Sequence, residues 1–71
     1  MNRLPVSSSS IISVGYDQAL NVLEVEFGGG GVYQYHGVPP ETFQELLSAE
    51  SLGKYVNQII KKRNYPFDRI A

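Results

Sequence analysis

Strict alternation of apolar and charged residues in the segment NVLEVEF constrains the fold of this chain more than any other feature. Leu23, Val25 and Phe27 alternate with Glu24 and Glu26, and this period of two is typical of a β-strand with one buried face. A run of four glycines follows, and the segment VYQYHGV then resumes a strand-like pattern. The sequence therefore predicts a β-hairpin whose loop is the glycine run.

The segments on either side of this hairpin predict a small α+β domain. Before it, IISVGY predicts another strand with Ile12, Val14 and Tyr16 on one face. After it, the Pro-Pro step ends the third strand, and PETFQELLSA predicts a short helix. A second helix starts at Ser51 and carries an apolar stripe formed by Leu52, Tyr55, Val56, Ile59 and Ile60. We thus predict a three-stranded antiparallel β-meander followed by two α-helices packed on one face (β-β-β-α-α).

The ends of the chain and its composition bound the rest of the organisation. A length of 71 residues suits one domain, which we place at residues 11–71 after a flexible, polar N-terminal segment at residues 1–10. The C-terminal tail carries Tyr65, Phe67 and Ile70, which could dock on the core. With no cysteine and a single histidine, we predict neither a metal site nor a cofactor. No apolar run approaches the roughly 20 residues that span a bilayer, so we predict a cytoplasmic protein without a membrane partner.

The direction in which Tyr33 and Tyr35 point depends on the length of the glycine loop. An even loop opposes Phe27 with Val32 and places both tyrosines beside the two glutamates of the preceding strand. An odd loop pairs Tyr33 with Phe27 and Tyr35 with Val25, and directs both rings into the core. The odd loop is favoured because it adds two aromatic rings to a small core. Since glycine permits either loop, exposed tyrosines that stack on nucleic-acid bases stay an alternative.

Two features that invite a catalytic interpretation do not support one. The glycine run leads into a strand, whereas a phosphate-binding loop leads into a helix and carries a following lysine. Glu24 or Glu26 could orient His36 across the hairpin in only one register, and the serines that could act as nucleophiles cluster in the flexible N-terminal segment. We therefore interpret His36 as a surface histidine. We therefore predict that the protein is not an enzyme.

The segment SLGKYVNQIIKKR is the strongest candidate for a binding surface. Gly53 near the start of a helix costs about 1 kcal/mol relative to alanine, and either close packing on a neighbouring backbone or contact with a ligand would explain it. Cations and amides on one helix face can contact phosphates, although a solvated face is the alternative. The formal net charge of −1 counts against a dedicated nucleic-acid binder. The predicted nucleic-acid-binding residues are Lys54, Asn57, Gln58, Lys61, Lys62 and Arg63, with Arg69 as a further phosphate contact.

Four segments, taken in order, resemble the KTSC domain family: SVGYDQALNVLEVEF, VYQY, GVPPETFQELLSA and SLGKYVNQII. The resemblance extends over residues 11–69, with departures at Leu52 and Val56. The family's Tyr-x-Tyr motif falls on Tyr33 and Tyr35. Its Ser-x-Gly-Lys-Tyr-x-Asn motif falls on Ser51, Gly53, Lys54, Tyr55 and Asn57. The family is named for a domain at the C-terminus of some lysyl-tRNA synthetases, and it also occurs as stand-alone bacterial or phage proteins.

The resemblance implies no established activity, and its link to synthetases implies RNA binding only as a hypothesis. We therefore expect a small non-catalytic binding module, for RNA or another nucleic acid, that acts through the basic second helix. The alternative is a module for a protein partner or for self-association, which would use the open sheet face or an edge strand. On that face, Val22, Val32 and Val38 would form an apolar stripe.

Overall fold

A five-stranded antiparallel sheet and two helical regions make up the computed structural model, which describes residues 3–71. Between the fourth and fifth strands lie α1 (Pro40–Ser48), α2 (Leu52–Tyr55) and a π-helical segment, Val56–Ile60, that continues α2. The predicted α+β class is confirmed, and the predicted three-stranded meander understates the sheet. The strands are adjacent in chain order: β1 (Leu4–Pro5), β2 (Ile11–Asp17), β3 (Val22–Phe27), β4 (Val32–His36) and β5 (Phe67–Arg69).

The two strands that the sequence did not reveal lie at the edges of the sheet. β1 pairs with Ser13 and Val14 of β2, and β5 pairs with Tyr33, Gln34 and Tyr35 of β4. Strands of two and three residues are too short to show a periodic pattern. The C-terminal tail therefore docks as a strand, and the sheet is two strands wider than the predicted meander.

The predicted N-terminal segment at residues 1–10 falls partly outside the described residues, because residues 1 and 2 precede them. Its flexibility stays a prediction, as does the single domain at residues 11–71. Within the described part, Ser8 Oγ accepts hydrogen bonds from the amides of Ser10 and Ile11, both at 3.3 Å. The Ser10 carbonyl accepts from the Gly28 amide at 2.8 Å, so this segment contacts the hairpin loop.

A β-bulge at the start of β2 reverses the predicted orientation of Ile12. The register between β2 and β3 shifts between Ile11 and Ser13, which makes Ile12 the extra residue. Ile11 is 1% exposed and Ile12 is 49% exposed. The prediction that Ile12 faces the core is wrong because the bulge interrupts the alternation, which continues correctly at the buried Val14.

The hairpin of β3 and β4 answers the question of where the tyrosines point. Tyr33 pairs with Val25 and Tyr35 pairs with Leu23, so both rings share the face of the buried β3 residues. The predicted face is confirmed. The predicted partners are wrong by two residues, since Phe27 was expected opposite Tyr33.

The compact glycine loop explains this difference in register. The Phe27 amide donates to the Gly31 carbonyl at 3.0 Å, so three residues, 28–30, form the loop. Gly30 and Gly31 have φ angles of 109° and 98°, a region that a residue with a Cβ rarely adopts. These two glycines allow Phe27 to pair with Gly31 and not with Tyr33. The loop is therefore two residues shorter than the predicted register requires.

The hydrophobic core lies between one face of the sheet and the helical regions. Tyr16 of β2 joins the two layers, because its ring stacks on Phe43 of α1 with a centroid distance of 5.0 Å. Its hydroxyl also donates a hydrogen bond to the Val38 carbonyl. The buried core residues are Ile11, Val14, Leu23, Val25, Tyr35, Val38, Leu46, Val56 and Ile60.

The opposite face of the sheet, which we call the outer face, carries a polar network. Glu24 is only 6% exposed and accepts hydrogen bonds from Arg3 Nη1 and Gln34 Nε2, both at 2.8 Å. Glu26 accepts from Ser13 Oγ at 2.9 Å. A buried carboxylate is tolerated only when it is paired and hydrogen-bonded, and these contacts meet that need for Glu24.

The apolar stripe that we predicted on the outer face is not exposed, although the register places Val22 and Val32 on that face. Val22, Val32 and Val38 are 6%, 7% and 0% exposed, respectively. Val38 lies in the core cluster between the sheet and the helices. The prediction of an exposed valine surface for self-association is therefore wrong.

Candidate functional site

An open groove with a volume of ≈ 830 Å³ lies on the helix-facing side of the sheet, beside the edge strand β5. The end of β3, β4, the π-helical segment and the tail before β5 form its walls. Its lining includes Lys61 and contains no acidic side chain. The aromatic lining residues are Phe27, Tyr33, Tyr35, Tyr65 and Phe67.

The aromatic rings of the groove form a continuous cluster that extends from the core to the surface. Tyr33 contacts the ring of Phe27 edge-on at 5.5 Å between centroids, and it contacts Phe67 at 5.8 Å. Tyr35 contacts Phe67 at 5.7 Å. Tyr35 is 4% exposed whereas Phe67 is 59% exposed. Tyr35 is therefore a core residue, and Phe67 presents a ring to solvent at the rim.

Burial has an electrostatic consequence for Tyr35. Desolvation, with a smaller contribution from the neighbouring Tyr33, raises the pKa of the Tyr35 hydroxyl. The raised pKa extends the pH range over which the phenol is neutral to values above the ordinary range of tyrosine. Tyr35 therefore acts as a neutral aromatic wall of the groove, and the half-buried Tyr33 is the more accessible of the two motif tyrosines.

Two cations flank the groove, and each is held against an aromatic ring. Lys61 Nζ lies 5.4 Å from the centroid of Phe27, and Arg69 Cζ lies 6.0 Å from the centroid of Tyr33. Among residues 3–71, neither cation forms an ion pair with an aspartate or glutamate side chain. Cation–π contacts of this kind orient a charge without neutralising it. Arg69 Nε also donates a hydrogen bond to the Ala71 carbonyl at 3.0 Å, and the positive charge of each residue can still attract an anion.

All six predicted binding residues of the second helix are exposed. Lys61 lies at the groove, whereas Arg63 Nη1 donates to Thr42 Oγ1 of α1 and to the Tyr65 hydroxyl, both at 3.3 Å. Lys54 lies in the first turn, where its amide donates to Ser51 Oγ at 3.3 Å. Their role in binding stays a prediction. The exposed residues are Lys54, Asn57, Gln58, Lys61, Lys62 and Arg63.

The wide turn of the π-helical segment changes the direction in which Lys61 leaves the second helix. The Lys61 amide donates to the Val56 carbonyl at 2.9 Å, five residues earlier. An i→i+5 turn rotates all later residues relative to a regular α-helix. Lys61 therefore lies over Phe27 of the sheet, a position that a period of 3.6 residues does not predict.

The remaining motif residues stabilise the start of the second helix. Ser51 is its N-cap, as predicted, and the Tyr55 hydroxyl donates to a carbonyl of α1 at 3.4 Å. Gly53 is buried, and a Cβ at this position would overlap Ser10 Oγ. Close packing thus explains Gly53, although its neighbour is a side chain and not the predicted backbone.

The C-terminal tail contributes to this groove in a way that the sequence does not reveal. The sequence predicts that Tyr65, Phe67 and Ile70 could dock on the core, and Tyr65 does pack against it. Ile70 stays 50% exposed. The available signal was the density of aromatic residues in NYPF. Nothing in the sequence indicated that this segment would lie beside Tyr33.

The described part of the chain contains neither a candidate metal site nor a membrane-spanning helix. Within residues 3–71, the histidine, aspartate and glutamate side chains form no group of three that could hold a metal ion. His36 Nε2 lies 2.9 Å from Asp68 Oδ2 on the outer face. No helix in this range has the length and apolar character needed to cross a membrane. The predicted cytoplasmic location stays a prediction.

The architecture defines the class of this protein: a small α+β domain with a meander sheet, two helical regions and a returning edge strand. A family model for the KTSC domain matches residues 7–65. The chain belongs to the KTSC domain family, which confirms the resemblance noted from its motifs.

Similar proteins support the same assignment. A KTSC domain protein from Yersinia pestis, whose crystal structure is known, is 41% identical with a TM-score of 0.94, and the match covers 99% of this chain and 97% of that chain. An uncharacterised protein from Stutzerimonas stutzeri is 49% identical over 70 residues, which are 99% of each chain. A lysine–tRNA ligase from Nostoc punctiforme is 34% identical over 68 residues, which are 96% of this chain and 12% of the ligase.

Proposed function

We propose that this KTSC domain is a non-catalytic module that binds single-stranded RNA on the groove side of the sheet. One observation carries the proposal: Lys61 and Arg69 flank an aromatic groove that has no acidic lining residue. Nucleic acids combine a polyanionic backbone with planar rings, and proteins that bind single strands combine cations with aromatic side chains for this reason. The groove side of the domain offers both.

The distribution of acidic residues also supports this side of the sheet. Glu24 and Glu26 project from the outer face, where they form hydrogen bonds to Arg3, Gln34 and Ser13. A phosphate backbone would be repelled by that face and attracted to the groove side. The low net charge of the whole chain is therefore compatible with a local site for an anion.

The choice of RNA over other nucleic acids rests on the relatives. The lysine–tRNA ligase of Nostoc punctiforme contains a segment 34% identical to this chain, and a tRNA substrate is part of that enzyme's name. Unpaired bases in RNA are accessible for stacking on aromatic side chains, whereas bases in a duplex are not. We therefore infer a single-stranded or looped RNA as the ligand.

The test is a fluorescence-anisotropy titration of a labelled, single-stranded RNA with the whole chain at about 50 mM and about 200 mM salt. Affinity should fall with salt. Lys61→Gln should weaken binding and lower the slope of log affinity against log salt by about 0.7. Gln18→Glu is the matched control, because it makes the same change in net charge at an exposed turn between β2 and β3.

Two results would contradict the proposal. If Gln18→Glu weakened binding as much as Lys61→Gln, the effect would belong to net charge and not to the groove side. If no binding occurred at low salt while the mass of the protein rose with its concentration, a self-association module would be the better assignment.

A further inference from the structure

We propose that the groove holds one unpaired nucleobase, stacked on the ring of Phe67, with Lys61 and Arg69 contacting the phosphates on its two sides. This inference rests on the proposed function and adds the part of the RNA that the groove recognises. It also adds a stoichiometry of one stacked base per domain.

The number of free ring faces limits the groove to one stacked base. Lys61 lies over Phe27, and Arg69 lies over Tyr33. Tyr35 is 4% exposed and is closed by its own packing. Phe67 is 59% exposed and lies in the edge strand β5, next to the groove. Tyr65, the remaining aromatic lining residue, is half-buried against the core. Phe67 is therefore the most exposed ring of the groove and the one with a broad surface left for a ligand.

The position of Phe67 is fixed well enough to act as a stacking platform. It pairs with Tyr35 across β4 and β5, and its ring contacts Tyr33 and Tyr35 at 5.8 and 5.7 Å between centroids. The His36 amide donates to the carbonyl of Pro66, the preceding residue, at 2.8 Å. A ring that is already ordered loses little conformational entropy when a base stacks on it.

The charges at the groove select a base that is part of an anionic chain. A volume of ≈ 830 Å³ lies within the range of about 300–1,000 Å³ that is usual for small-ligand sites. The cations are held on rings that belong to the same aromatic cluster as Phe67. A neutral proline-rich peptide could also pack on such rings, but it would bring no anionic group to either cation.

The experiment compares three ribose-phosphate hexamers: a hexamer of uridines, a hexamer without bases, and a hexamer with one central uridine. Stacking of one base is worth roughly 5- to 150-fold in affinity. The hexamer with one uridine should therefore recover most of the difference in affinity between the base-free hexamer and the hexamer of uridines. Phe67→Leu keeps an apolar side chain in the exposed edge strand. It should weaken binding of the base-containing hexamers by a similar factor and leave binding of the base-free hexamer unchanged.

A fluorescent reporter makes the stacking directly visible, because the chain contains no tryptophan. Phe67→Trp places a single indole at the groove, and its emission should be quenched by the hexamer with one uridine and not by the base-free hexamer. Leu20→Trp is the control, since Leu20 is 70% exposed in the turn between β2 and β3. Its emission should not respond.

The outcomes separate the failure of this inference from the failure of the proposed function. Equal, salt-dependent affinity for all three hexamers, with no effect of Phe67→Leu, would overturn the base site and leave RNA binding intact. The absence of binding to any hexamer or to tRNA would overturn both. Quenching of Phe67→Trp by a proline-rich peptide, without a response to RNA, would reassign the groove to a protein partner.

Discussion

The contact between Gly53 and Ser10 makes a prediction that separates a structural role of Gly53 from a ligand-binding role. Gly53 lies in the first turn of α2, and its backbone does not have the positive φ that requires glycine. A Cβ at Gly53 would overlap Ser10 Oγ, whereas Ser10 Cβ would be 3.5 Å away, an ordinary contact. The overlap is thus with a single oxygen atom.

The magnitudes follow from this geometry. Replacing glycine by alanine in a helix stabilises the protein by about 0.5–1 kcal/mol when no contact opposes the change. Forcing an extra methyl group against a packed neighbour costs about 1–3 kcal/mol. We therefore expect Gly53→Ala to lower the free energy of unfolding by roughly 0–2 kcal/mol in the natural sequence. In a Ser10→Ala background the same change should raise it by about 0.5–1 kcal/mol.

The assay is a double-mutant cycle with urea denaturation of four proteins: the natural chain, Ser10→Ala, Gly53→Ala and the double variant. Circular dichroism follows the unfolding. The expected coupling energy is about 1–3 kcal/mol, which corresponds to a shift in Tm of at least about 4 °C for a chain of this size. Equal effects of Gly53→Ala in both backgrounds would refute the packing explanation. Contact with a ligand would then be the remaining reason for this glycine.

Three further predictions concern tyrosine and the outer face. Because burial raises the pKa of Tyr35, this tyrosine ionises at a lower pH in the unfolded chain than in the folded protein. The free energy of unfolding should therefore fall as pH rises through the folded-state pKa. In urea titrations between about pH 9 and pH 11, Tyr35→Phe should show a smaller fall than the natural chain. Tyr16→Phe removes the hydrogen bond to the Val38 carbonyl and should cost about 1 kcal/mol in urea; no loss would show that this bond contributes nothing. Arg3→Met leaves the buried Glu24 with fewer partners and should cost about 1–3 kcal/mol, and the double variant with Glu24→Gln should cost less than the sum of the two single changes.

The parts of the fold that the sequence predicts are those with a repeating pattern long enough to read. The alternation through Leu23 and Val25 predicts β3, and the parity argument places Tyr33 and Tyr35 on the correct face of β4. The apolar stripe of the second helix is also correct, since Val56 and Ile60 are buried. In each case several apolar residues of one pattern indicate the same buried face.

The features that the sequence does not predict each depend on one residue or on distant partners. The bulge at Ile12 inserts a single residue into β2. The strand formed by Leu4–Pro5 exists only through its pairing with β2. The i→i+5 turn ending at Lys61 departs from the regular helical period of 3.6 residues. A propensity or a period cannot predict such tertiary effects.

The candidate site was harder to predict than the fold for the same reason. The sequence predicts Lys61 as part of a helical ridge and Arg69 as a separate phosphate contact, whereas in the structure both lie over aromatic rings of one cluster that draws on three separate segments. Phe67 reaches the groove because the tail returns as β5 beside β4. The composition of the tail shows that aromatic side chains are available, and only the topology shows where they are placed.

The most direct test of RNA binding is an amide NMR titration of the labelled chain with short single-stranded RNA and with tRNA, at low and moderate salt. We predict salt-sensitive shifts in the π-helical segment, the tail and β5, centred on Lys61, Phe67 and Arg69, and none at Glu24 or Gln34 on the outer face. The absence of shifts at both salt concentrations, or shifts confined to the outer face, would contradict binding on the groove side.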